Sequence, residues 1–163
     1  MFESTGVATR EMVMKTFPTK ERLEKGSVAV IECYKEIPCN PCATACRQDA
    51  IKTFVDINDL PTLDHERCNG CTLCMVNCPG LAIVVVDKNY TGEDALFKIP
   101  FEFKPLPLEG DIVRGLNRAG EHICDVEVVK IQNPKSFDQT AILSLLVKKE
   151  YLYDFITIEV GVK

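Results

Sequence analysis

Cys68-Asn-Gly-Cys71-Thr-Leu-Cys74-Met-Val-Asn-Cys78-Pro79 is the stretch whose reading decides how this chain must fold. Its spacing, C-x2-C-x2-C-x3-C-P, is the one by which cysteine thiolates hold the irons of a 4Fe-4S cluster. Three thiolates three residues apart wrap one cubane. The fourth, turned aside by the following proline, usually ligates a second cluster. A second run of cysteines is therefore expected elsewhere in the chain.

It lies 32 residues upstream, in Cys33-Tyr-Lys-Glu36-Ile-Pro38-Cys39-Asn-Pro41-Cys42-Ala-Thr-Ala-Cys46-Arg47-Gln-Asp-Ala50-Ile51. At that single offset Cys39 falls on Cys71, Cys42 on Cys74, Cys46 on Cys78, Ala50 on Ala82 and Ile51 on Ile83. Coincident identities at metal-ligand positions mark an internal repeat. The upstream copy is altered at its start, where Glu36 stands opposite Cys68 and an extra cysteine, Cys33, stands three residues earlier. Three alternatives follow. Cys33 replaces the missing ligand through a longer C-x5-C-x2-C loop, or Glu36 ligates through its carboxylate, or the site holds a three-iron cluster or none, with Cys33 a buried thiol. Pro38 and Pro41 fix backbone dihedrals and stiffen the loop that presents Cys39 and Cys42, which favours the first. A second departure is Arg47, where the intact run has Pro79. A cation there favours the more negative, reduced state and raises the potential of the cluster bound by Cys46.

The repeat resembles the two-cluster bacterial ferredoxins over residues 28–86. That resemblance implies a pseudo-twofold pair of strand-helix-strand units with ligands crossing between them. It implies one cluster on Cys33, Cys39, Cys42 and Cys78 and another on Cys46, Cys68, Cys71 and Cys74, with Glu36 and Arg47 as neighbours that tune them. Small residues after each run, among them Ala43, Ala45 and Gly80, let backbone amides approach the sulfurs. Thr53 to His65, with Asp56, Asn58, Asp59 and Pro61, reads as the polar turn between the two halves. Zinc fits poorly, because a ribbon uses two C-x2-C pairs and each run here carries at least a third cysteine, with neither His65 nor His122 completing a finger.

Composition sets the frame. A chain of 163 residues with 46% hydrophobic content buries an ordinary core in one domain or two small ones. Nine cysteines in a chain whose first residues lack a charged segment followed by an apolar run point to a cytoplasmic metalloprotein and away from a disulfide scaffold. No apolar run approaches the length of about 18 residues needed to span a bilayer. The net charge of -5 argues against nucleic acid as a partner.

Outside the repeat, residues 1–27 read as an N-terminal arm. Thr9 and Thr19 are candidate helix N-caps, Gly26 is a stop, and Met12, Val13, Met14 and Phe17 form an apolar face that needs covering by this chain or another. Residues 87–97 read as a polar linker with a turn at Thr91-Gly92. Residues 98–163 carry short strands expected over 97–103, 112–116, 123–131, 140–147 and 155–160, separated by turn signals at Gly110, Gly120 and Asn133-Pro134. Glu109-Gly-Asp-x-Val113, Gly120 and Val126 to Val129 look like an SH3-like barrel. The expected fold class is thus α+β, a dicluster ferredoxin-like domain followed by a small all-β barrel. Cys124 reads as an inert buried thiol, His122 as a surface residue, and Tyr151 and Tyr153 as rim packing.

Nothing assembles a nucleophile with a base, a phosphate loop or a dinucleotide fingerprint, so the available chemistry is one-electron transfer. Ile31-Glu-Cys-Tyr-Lys-Glu-Ile-Pro-Cys-Asn-Pro-Cys42 and Ile99-Pro-Phe-Glu-Phe-Lys-Pro-Leu-Pro107 are similar to small iron-sulfur subunits of FAD-dependent amine or amino-acid dehydrogenases of the proline, hydroxyproline and opine type. That likeness implies a hetero-oligomer in which FAD sits on a partner and electrons pass singly through this chain. A freestanding ferredoxin-type carrier, and an interaction subunit whose clusters mainly hold the fold, are the alternatives.

Overall fold

In Val28-Ala-Val-Ile31 and Ile83-Val-Val-Val86 the apolar residues run on without alternating, the pattern of strands covered on both faces. The computed structural model, which describes residues 1–161, pairs them antiparallel as β1 (Val28–Ile31) and β2 (Ile83–Asp87), with Val28 opposite Val86 and Ile31 opposite Ile83. Ala29, Ile31, Ile83 and Val85 face the cysteine-bearing half, together with Ile51, Met75 and Ile142. Val28, Val30, Val84 and Val86 face a larger core with Val13, Phe17, Leu23, Phe97 and Phe155.

That larger core is covered in part by the arm. Its helices are α1 (Phe2–Thr5), α2 (Arg10–Thr16) and α3 (Lys20–Leu23). Thr9 and Thr19 cap α2 and α3, their hydroxyls accepting from the Met12 and Arg22 amides at 3.3 and 3.2 Å. Helices this short do not persist alone. They are held because Val13, Phe17 and Leu23 are buried against the sheet, while Met14 stays exposed. The apolar face of the arm is therefore spent largely on its own chain.

Beyond β2 come β3 (Asp94–Phe101), β4 (Ile112–Leu116), β5 (His122–Gln132), β6 (Ala141–Lys148) and β7 (Thr157–Ile158). Each expected strand is present within a few residues. All belong to one antiparallel sheet in the order β1-β2-β3-β6-β5-β4-β7. β6 lies at its centre and is buried along almost its whole length.

Two expectations need correction. The barrel does not close: among the described residues β7 pairs only with β4, through Gly115–Ile158 and Leu116–Thr157, and β1 and β7 are free edges. A strand of two residues has too few ladder bonds to join a barrel seam. The stretch read as a linker is mostly strand and turn. β2 already pairs with β3 through Val85–Lys98, Val86–Phe97 and Asp87–Leu96, and only a tight turn pinned by Thr91 separates them. Gly92 lies in the turn, but Leu96 and Phe97 at the end of the same stretch are ladder residues.

Candidate metal centres

The two cysteine runs fold alike. α4 (Pro41–Ala45) and α5 (Leu73–Asn77) occupy equivalent positions of the 32-residue repeat. Each ends at a cysteine, Cys46 or Cys78, in extended conformation, whose amide bonds back to Ala43 or Met75. Beyond each lies a non-glycine residue at positive φ, Asp49 at 48° and Leu81 at 51°. These equivalent bends carry both chains back into strands. Ile51 bridges Leu63 antiparallel, and the 32-residue shift takes that pair onto Ile83 and Ile31 of the β1–β2 ladder. The repeat in sequence is thus a pseudo-twofold in space.

At the helix ends the chain extends, so the fourth cysteine of each run leaves its three predecessors. Cys33, Cys39, Cys42 and Cys78 line one small apolar cavity, with Ile31, Phe54 and Ile83 in its wall. Cys46, Cys68, Cys71 and Cys74 line a second, with Ala29, Ile51 and Leu63. Cys33 reaches the first cavity. Glu36 is exposed and does not line it, although its neighbours Lys35 and Ile37 do. Arg47 is exposed in a shallow groove with Asn40, Thr44, Leu73 and Asn77, between α4 and α5.

The electrostatics follow this partition. Burial pushes the Cys74 thiol up to about 12, and the nearby Cys68, Cys71 and Cys46 sulfurs add to it. Burial also raises Cys33 and Cys42, with Cys78 and Cys39 contributing to both. Left to themselves these thiols stay protonated, and binding a metal must displace the protons. Backbone donors reach two sulfurs: the Ala29 amide lies 3.4 Å from Cys68 Sγ and the Ala82 amide 3.5 Å from Cys78 Sγ. Such N–H groups stabilise a thiolate. Among the described residues no three His, Cys, Asp or Glu side chains are disposed to hold a single metal ion. The thiols ring cavities, and four thiols around an apolar cavity with amides aimed at sulfur are the donor set of an iron-sulfur cluster.

Residues 61–84 match the family model of the 4Fe-4S binding domain. No curated protein and no solved structure matches the chain. The matched segment holds Cys68, Cys71, Cys74 and Cys78, together with Gly70, whose φ of 69° leaves its missing Cβ 2.7 Å from Ser27 Cβ. This match supports an iron-sulfur domain of ferredoxin type in the chain, with at least one 4Fe-4S cluster and a role in electron transfer. No helix among the described residues is long and apolar enough to cross a membrane.

Two arginines near the cysteines, Arg22 buried and Arg118 largely so, carry no mark in the sequence. Arg22 of α3 donates to the carbonyls of His65 and Cys68, both at 2.6 Å, and of Ser27 and Gly26 at 3.1 and 3.2 Å. Arg118, in the β4–β5 turn, forms a forked ion pair with Glu32, next to Cys33, and donates to the Tyr153 and Asp154 carbonyls. No local signal separates either from an exposed arginine, since their partners lie 43 and 86 residues away. Cys124 is half-buried beside Gly115, its thiol pushed up to about 11 by burial, and belongs to neither cavity. His122 is at the surface, with a carboxylate partner in Asp125 at 2.9 Å that the sequence did not reveal.

Proposed function

We propose that this chain is the electron-relay subunit of a flavoprotein dehydrogenase, holding two 4Fe-4S clusters and passing single electrons from a partner's FAD to an acceptor. The observation that carries this is the pair of four-cysteine cavities, each completed by the C-capping cysteine of the other run's helix. Cys33, Cys39, Cys42 and Cys78 would hold one cluster, and Cys46, Cys68, Cys71 and Cys74 the other. Bound there, the clusters supply one-electron couples. The chain's own part is to fix sulfur positions, to aim the Ala29 and Ala82 amides at them, and to exclude water with Ile31, Ile51, Ile83 and Phe54. Cys33 in the cavity wall and Glu36 outside it favour the thiol as fourth ligand of the first site.

A place within a complex is supported by exposed apolar surface. Ile37, Val55, Ile57 and Leu60 lie exposed around the loop beside the first cavity, and the Cys39 amide bonds the Ile57 carbonyl at 3.0 Å. Asp59 and Asp56 pin that loop from within by accepting the Val55, Asp56 and Asn58 amides. Phe103, Leu108, Ile112 and Val160 form further exposed apolar positions. Surface of this kind marks interaction sites. The likeness of residues 31–42 and 99–107 to small subunits of amine and amino-acid dehydrogenases supports a flavoprotein partner of that class.

Native co-purification under anaerobic conditions tests the reading, with flavin, iron and acid-labile sulfide measured on the same sample. A stoichiometric flavoprotein is expected, and Val55→Asp should weaken its retention. A monomer without flavoprotein defeats the subunit reading in favour of a freestanding carrier. A spectrum unchanged by dithionite makes the clusters structural.

A further inference from the structure

We infer that Arg22 is the counter-cation of the Cys46–Cys68–Cys71–Cys74 site and makes it the better electron acceptor of the two sites. The inference rests on the two-cluster relay proposed above. Arg22 is only 5% exposed, and its guanidinium meets four carbonyls and no carboxylate. Among the described residues it forms no ion pair, whereas nine other Lys and Arg side chains do. An arginine buried without an anion is strongly unfavourable, and carbonyl dipoles offset that only in part. One of the four carbonyls belongs to Cys68, whose sulfur lines the second cavity. Four irons, four sulfides and four cysteine thiolates together carry net negative charge, which reduction increases by one. The missing counter-charge of Arg22 is thus the site that its own hydrogen bond helps to position.

Among the described residues the first site has no buried unpaired cation: Lys35 lines its cavity, but its side chain is exposed and lies 3.8 Å from Glu3, so solvent and that carboxylate weaken its field. Arg118, the largely buried arginine on that side, is neutralised by Glu32 through two parallel bonds, and the Tyr34 hydroxyl donates to the same carboxylate at 3.2 Å. A neutral pair exerts a much weaker field than a lone charge. Arg47, the cation visible in the sequence, is exposed, so water and salt screen it. Arg22 acts in low dielectric and is screened little. One electron therefore leaves the site at Cys33, Cys39, Cys42 and Cys78, which is oxidised, and reduces the site at Cys68 and its partners; no proton or further reactant is needed.

The experiment is a redox titration of the reconstituted full chain, followed by electron paramagnetic resonance. Iron and sulfide content of the native protein come first and bear on the relay reading alone, because a chain holding only the Cys68 cluster ends that reading and leaves the Arg22 test intact. Arg22→Gln should lower the couple of the Cys68 site and leave any other couple in place, while Arg22→Lys, which keeps the charge, should retain it. A loaded Arg22→Gln protein with unmoved couples overturns the inference. So does an Arg22→Lys protein whose couple falls as far as that of Arg22→Gln, since the fork and not the charge would then be responsible. If the Gln variant does not retain iron, the native protein decides. A gap between the two couples that persists at high salt supports a buried counter-cation, and a gap that closes with salt overturns it.

Discussion

Gly70 shows how little room the Cys68 loop leaves. Its φ of 69° is a left-handed conformation, and a Cβ would stand 2.7 Å from Ser27 Cβ and 3.1 Å from Val85 Cγ1. Backbone strain of this kind costs about 1–3 kcal/mol, so Gly70→Ala should lower the urea midpoint and the iron retained per chain. At the cysteines, Cys33→Ala should reduce iron per chain, while Glu36→Gln and Cys124→Ser should leave it unchanged; unchanged iron in Cys33→Ala removes that residue from the ligand set. Seven of the eight cavity cysteines are legible from spacing alone. Cys33 is not, because a five-residue gap has no fixed geometry until Pro38 and the loop at Ile57 hold Cys39 in place. Arg22 is less legible still, since what distinguishes it is burial.

At the scale of elements, α4 and α5 are too short to be stable by propensity, and the paired strands on either side hold them. The arm illustrates the same dependence. Phe17 packs edge-on to Tyr153 at 4.9 Å, joining the N-terminal arm to the turn that precedes β7. Phe17→Ala should cost about 3–5 kcal/mol, the range for a buried aromatic, read from denaturant unfolding. A loss near zero would mean that the arm does not rest on the sheet. Between the arm and the Cys68 loop sits His65. Burial, with the Arg22 cation adding, lowers it from its ordinary 6.5 against the opposing pull of the Thr16 backbone, Asp64 and Glu66. A lowered histidine means that the unfolded chain binds the proton more readily. Its contribution is complete above about pH 6.5 and is lost as pH falls through that value toward the folded one. The melting temperature should therefore drop on acidification through this window, and His65→Gln should flatten the drop. Caps at Thr9 and Thr19 could be read from sequence, because their partners lie three residues away. His65 could not, because its environment comes from a different element.

For the molecule as a whole, the single sheet makes the iron-sulfur half and the C-terminal strands one hydrogen-bonded body. Glu32 and Arg118 tie the two across 86 residues, with side chains 9% and 12% exposed. Arg118→Ala leaves a buried carboxylate without its partner and should cost about 3–5 kcal/mol, whereas replacing both residues by apolar ones of similar size should recover most of it. Equal losses in the single and double variants would show that the pair does not act as a unit. By itself the sequence determined the cysteine repeat, its 32-residue offset, the strands and the helix caps. Each depends on residues close together along the chain, or on a ligand spacing that one metal chemistry demands. Only the tertiary structure decided that Cys33 reaches the first cavity, that the C-terminal strands continue the sheet without closing a barrel, and which arginines lie beside the cysteines. Those depend on burial and on partners far away in the chain, and neither leaves a periodic trace in sequence.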